Sequence, residues 1–152
     1  MSMSIRLETK RLVLREQTLA DVGAANAYES QPDVVRWTSH GCRTIEESRA
    51  DIERVRAARD AQPRRIYDLA ITLRSGGPMI GRAGLGIESN GLTSAVWHIL
   101  HPAHQGSGIA CEAVREMVRL GFEQLGLQVL ECCRESFTSL CLCELRRVSE
   151  RC

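Results

Sequence analysis

The sequence predicts an α/β fold in the broad sense: one domain with a mixed, mostly antiparallel sheet flanked by helices. Three observations carry this. Two hairpin signals, Ser75-Gly76-Gly77-Pro78 and Ser89-Asn90-Gly91, join strand-like runs. Apolar residues then recur at the three-and-four spacing of a helix from Ala110 to Leu125. A last apolar run, Leu127-Gln128-Val129-Leu130, follows across Gly126 and reads as the second strand of a strand–helix–strand crossover.

Taken in order, Arg11-Leu12-Val13-Leu14-Arg15 alternates like a strand, its leucines on one face. Thr18-Leu19-Ala20-Asp21 reads as a capping box opening a helix to about Glu29, stopped near Pro32. Val34 to Gly41 reads as a loop carrying Trp37. A second box, Thr44-Ile45-Glu46-Glu47, opens a helix to about Ala61, with Ile45, Ile52 and Val55 on one face and charges on the other. Arg65 to Leu73 and Met79 to Glu88 are hairpin strands. Ala95 to Leu100 is the strand before the long helix.

A chain of 152 residues is long enough to bury roughly two-thirds of its unfolded surface. The net charge of +1 argues against a nucleic-acid partner. No apolar run approaches a membrane span, and Met1 to Arg6 carries no signal-peptide core, so a cytoplasmic location is expected. Lys10 is the only lysine, and such an arginine bias points to a GC-rich, bacterial coding sequence. Seven cysteines in such a compartment are expected as free thiols. The C-C and C-x-C spacings near the end lack the pattern of a zinc site, so no metal is expected.

The chemistry concentrates at Gln105-Gly106-Ser107-Gly108-Ile109-Ala110, between a strand and a helix. Glycines let the backbone approach a ligand closely, the first helical turn leaves N–H groups unpaired, and the helix dipole favours an anion. A phosphate-bearing ligand is the expected occupant.

This loop resembles the acyl-CoA loop, [Q/R]-x-x-G-x-[G/A], of the GNAT superfamily of acetyl-CoA-dependent N-acetyltransferases. Leu7-Glu8-Thr9-Lys10-Arg11-Leu12-Val13-Leu14-Arg15 is similar to the first strand of its ribosomal-protein and antibiotic acetyltransferase branch. Trp97 to Pro102 is similar to the fourth strand, and Glu112-Ala113 to a helix motif of that branch. The resemblance spans about residues 7–131 of a single domain, 1–152. The remainder, 132–152, is atypical, lacks the family's last two strands and reads as a truncated or frame-shifted end.

The resemblance implies acetyl transfer from acetyl-CoA to a primary amine, on a small molecule or a protein N-terminus, by direct attack in a ternary complex. Backbone groups of Gln105, Gly106, Ser107, Gly108, Ile109 and Ala110 would hold the pyrophosphate. The main chain of Ile99 and Leu100 would pair with pantetheine, with an N–H near Ile99 or Leu100 for the oxyanion. The glutamate of many relatives is missing from Thr93-Ser94-Ala95-Val96, so His98 and Glu88 are the candidates for proton transfer. His101 flanks the loop at the phosphates or in solvent. His104 is expected in solvent, and Trp37 lines the acceptor site or the core. Gly81 to Gly86 reads as close sheet packing.

Two other readings stay open. A catalytically silent CoA-binding or interaction domain fits the atypical end. A Rossmann-type dinucleotide binder fits Gly106-x-Gly108 with Glu131 closing the next strand. A sheet ending at Gln128 to Glu131 also leaves an edge open, so a homo-oligomer through that edge or the apolar tail, Ser136 to Arg147, is expected.

Overall fold

The computed structural model describes residues 3–36, 38 and 40–132. The strands are β1 (Arg6–Glu8), β2 (Leu12–Glu16), β3 (Ile66–Leu73), β4 (Gly81–Ile87), β5 (Thr93–Leu100) and β6 (Val129–Cys132). The helices are α1 (Val22–Glu29), α2 (Pro32–Val35), α3 (Ile45–Asp60) and α4 (Ile109–Arg119). The strands lie side by side in chain order, each pair antiparallel except β5 and β6, which run parallel. That single parallel pair is the predicted crossover. A Rossmann sheet would be parallel throughout its core, so this topology removes that reading.

Period-2 alternation gives the sheet a core on each face, with β3 and β5 contributing to both. Leu12, Leu14, Leu69, Ile71, Leu85, Val96 and Leu100 face α4 and meet Ala113, Val114, Met117 and Val118. Ala70, Met79 and Ile99 face the other way, onto Val22, Ala25, Tyr28 and Ile52. Burying an apolar side chain of this size contributes about 1.5–3 kcal/mol, so these two layers hold the fold. Exposed ion pairs, at about 0–1 kcal/mol each, do not.

Local chemistry sets the element ends. In α3 the Thr44 hydroxyl accepts from the Glu47 N–H at 3.2 Å, while the Glu47 carboxylate accepts from the Thr44 N–H at 2.8 Å. Asp21 likewise accepts from the Thr18 N–H at 2.8 Å, but the helix begins with a 3-10 turn, Leu19–Asp21, before α1. At its other end α4 widens into a π-helical turn, Leu120–Gln124.

Several expectations are corrected. β1, only three residues long, was not separable from its surroundings, and α2 adds one turn where a loop was expected. Ile45 is 43% exposed, because the buried face of α3 is Ser48, Asp51, Ile52 and Val55. Cys42 is a free thiol as expected, but Cys111 is disulfide-bonded. Trp37, the open edge beyond β6, the tail, the missing last strands and the oligomeric contact expected there lie outside the described residues. No helix among the described residues is long and apolar enough to cross a membrane.

Candidate active site

β5 delivers the chain to the glycine loop. After Leu100, His101 caps a 3-10 turn, Pro102–His104, its Nδ1 accepting from the Ala103 N–H at 3.0 Å. That bond engages Nδ1 of His101 in holding the turn. His104 is half-buried, edge-on to His101 with ring centroids 6.1 Å apart, and not in open solvent as expected. Gln105 donates from Nε2 to the Leu100 carbonyl at 3.0 Å, tying the loop back to the strand.

Gly106 and Gly108 both sit in the left-handed region, at φ 82° and 81°, which a side chain would strain. Gly108 is the N-cap of α4, and the first intrahelical bond runs from the Glu112 N–H to its carbonyl at 3.1 Å. The N–H groups of Gly106, Ser107, Gly108, Ile109 and Ala110 take no acceptor among the described residues. Residues 105–108 are exposed. Unspent donors, an exposed backbone and the positive end of a helix together suit a diphosphate.

The opposite edge of β5 is equally defined. Glu88 N–H donates to Thr93 and His101 N–H donates to Ile80, both at 2.8 Å. In an antiparallel ladder the hydrogen-bonded pairs alternate, so odd-numbered residues of β5 turn their main chain toward β4. Ile99 is therefore spent on Arg82, and its side chain lies in the core against α1 and α3. This corrects the expectation that Ile99 offers an N–H to the ligand. Leu100 points the other way, and its N–H takes no acceptor among the described residues. β6 pairs with β5 from Thr93 to Val96, below this stretch.

His98 is half-buried on the α4 side, opposite Ala83, and burial pushes its imidazole down to about 4. It is neutral at physiological pH. Glu88 is exposed at the far end of the hairpin, facing Thr93. Thr93 to His98 is about 17 Å of extended strand, so the structure does not bring Glu88 to the loop. Gly81, Gly84 and Gly86 serve close packing as expected: a Cβ on Gly84 would meet the Trp97 indole at 2.5 Å.

The sequence profile of the acetyltransferase (GNAT) domain matches residues 11–136. The chain belongs to the GNAT acetyltransferase family. No curated protein sequence matches it. Among solved structures, a GNAT-family acetyltransferase from Bacillus anthracis is 20% identical, covering 81% of this chain and 69% of its own, with TM-score 0.70. The ribosomal L7/L12 alpha-N-protein acetyltransferase RimL in complex with coenzyme A is 15% identical, covering 95% and 82%, with TM-score 0.74. The microcin C7 self-immunity acetyltransferase MccE, in complex with acetyl-CoA and AMP, is 18% identical, covering 77% and 66%, with TM-score 0.63. At these identities the likeness establishes the fold. Family membership makes this GNAT domain an acyltransferase with acetyl-CoA as its donor, and the glycine loop has the donors such a ligand needs.

One part of the site was missed in the sequence. Thr9 and Arg11 of the first-strand motif and Glu112 of the helix motif form one hydrogen-bonded group beside the loop. The signal was present as complementary charge in two separately noted motifs, 101 residues apart.

Proposed function

We propose that this GNAT domain transfers acetyl from acetyl-CoA to a primary amine, with the diphosphate on the glycine loop and pantetheine along β5. The observation that carries the reading is the row of unspent N–H groups from Gly106 to Ala110 at the N-terminus of α4. Gln105 fixes the loop from below. Leu100 presents its N–H outward, where it pairs with the pantetheine arm or faces the thioester oxygen as negative charge develops.

The amine nitrogen bonds to the acetyl carbon, the carbon–sulfur bond breaks, and coenzyme A leaves as the thiol. The nitrogen gives up its proton in the same sequence. His98, neutral at the working pH, relays that proton to water; its low basicity suits a relay and not a stored base. Glu88 takes no part in this scheme. The acceptor belongs to the class of small-molecule amines or protein N-termini.

A thermal-shift titration with acetyl-CoA, coenzyme A and NAD, paired with thiol release in the presence of an amine panel, tests the reading. Ligands that bind the folded state raise its melting temperature by mass action. Stabilisation by acetyl-CoA and coenzyme A with amine-dependent thiol release is the expected result. Stabilisation by NAD alone overturns it. Stabilisation by coenzyme A without thiol release on any amine would make the domain a silent CoA binder.

A further inference from the structure

The turn between β1 and β2 reaches across to the start of α4 and grips it at several points. Thr9 donates from Oγ1 to Glu112 Oε1 at 2.6 Å, and the Arg11 N–H donates to the same oxygen at 2.8 Å. Arg11 Nε donates to Glu112 Oε2 at 2.7 Å, and Arg11 Nη1 donates to the Ser107 carbonyl at 2.9 Å. Thr9 is itself fixed, its hydroxyl accepting from the Leu12 N–H at 3.0 Å. The remaining nitrogen, Nη2, takes no acceptor among the described residues and lies 3.5 Å from where a Cβ of Gly108 would stand.

The grouping ties the β1–β2 turn to α4, and it also acts on the loop. The Arg11 side chain is 43% exposed and Glu112 16%, and the exposed guanidinium end limits what the pair contributes to folding. The placement of Arg11 has two consequences at the loop. In a trans peptide the carbonyl and the following N–H point in opposite directions, so holding the Ser107 carbonyl against Arg11 aims the Gly108 N–H away from Arg11. The second consequence concerns charge. Partial burial pushes Glu112 up, but the bonds from Thr9 and Arg11 outweigh it and hold the carboxyl below its ordinary range. An ionised carboxylate on the first turn of α4 occupies the same positive helix end that would receive a diphosphate. Unmasked, it would repel that ligand.

We propose that Arg11 is a positioning residue of the acetyl-CoA site, which aims the Gly108 N–H through the Ser107 carbonyl and cancels the Glu112 charge facing the phosphates. This rests on the reading that the diphosphate sits on the glycine loop. Lysine cannot replace the arginine fully, because a single ammonium lacks the fork that spans Glu112 and Ser107 together.

The test is a charge cycle on the full chain: Arg11→Gln, Arg11→Lys, Glu112→Gln and the Arg11→Gln/Glu112→Gln double variant. Coenzyme A affinity is measured by calorimetry at two salt concentrations, beside the ligand-free melting temperature of each protein. Arg11→Gln should weaken binding about tenfold or more, the scale of one uncompensated charge near a phosphate. The loss should shrink with added salt. Glu112→Gln should weaken binding less than Arg11→Gln, Arg11→Lys should fall between, and the double variant should recover much of the Arg11→Gln loss. Wild-type affinity in Arg11→Gln, or a double variant as weak as Arg11→Gln, overturns the proposal. If Arg11→Gln does not fold, the Arg11→Lys and double variants carry the same comparison. Failure of the wild-type chain to bind coenzyme A is a different result and removes the loop assignment itself.

Discussion

Arg82 on β4 donates to Asp51 on α3 at 2.5 Å, an ion pair sealed between the sheet and the helix that covers it. Glu29 and Asp68 flank the same guanidinium at 3.6 and 3.8 Å, and Arg43 bridges Glu29 and Asp51. Removing one member of a buried pair leaves an uncompensated charge and costs about 3–5 kcal/mol. Arg82→Met removes the cation that three acids share, leaving Glu29 and Asp51 with Arg43 and taking from Asp68 its ion-pair partner, whereas Asp51→Asn leaves Arg82 with two acids. Urea denaturation should therefore show a larger loss for Arg82→Met than for Asp51→Asn. Equal losses would mean that Glu29 and Asp68 contribute nothing to the cluster.

The same cluster gives opposite pH signs at two of its acids. Burial pushes Asp51 up, but Arg82, Arg54 and Arg43 outweigh it and hold the carboxyl well below the usual range. Its contribution is present at neutral pH and lost as the pH falls through the ordinary carboxylate range and below. Asp68 is raised, mainly by burial, so its contribution is present at low pH and lost as the pH rises. Asp68→Asn keeps a side-chain oxygen for the 2.9 Å bond that Gln17 donates. It should cost little at pH 7 and lower stability relative to wild type as the pH approaches 4, whereas Asp51→Asn should cost most at pH 7. Denaturation at both pH values checks the crossing.

Gly108→Asp should abolish coenzyme A binding while the fold survives. Its Cβ meets only Arg11 Nη2 at 3.5 Å, so space is not the obstacle. Aspartate tolerates a left-handed backbone better than most residues, and its carboxylate would add negative charge at the helix N-terminus assigned to the phosphates. Calorimetry and the melting curve together decide this. A folded variant with unchanged affinity would take the loop out of the site.

His98→Asn should separate turnover from stability. If the imidazole relays the amine proton, kcat falls roughly 10²-fold with coenzyme A affinity unchanged. The folded imidazole titrates at about 4, below its ordinary 6.5. Wild-type stability should then decline as the pH drops from about 6.5 toward about 4, because the unfolded chain takes up the proton first. The variant should lack that decline. Undiminished kcat would return His98 to a packing role.

The parts of the fold that the sequence revealed are those written in local chemistry. The Thr44 and Glu47 box, the hairpin glycines and the apolar stripe of α4 each act within a few residues, and each appears where expected. β1 was hidden because three residues give no period to read. Asp51 and Arg82 were hidden for a different reason: a charged residue on a helix or strand reads as solvent-facing, and only its partner, 31 residues away, makes burial tolerable. At the site the glycine loop was plain, since backbone conformation demands particular residues there. The even–odd division of β5 that sets Leu100 apart from Ile99 depends on strand register, which composition does not carry.

That division gives one strand two clocks. The Ile99 amide is locked into the ladder with β4 and exchanges its hydrogen only when the sheet itself opens. The Leu100 amide, one residue on and facing outward, waits on whatever arrives at the outer edge. Adjacent amides on the same rigid backbone thus supply a built-in reference and a reporter, so the slowing of one against the other measures occupancy without any added label.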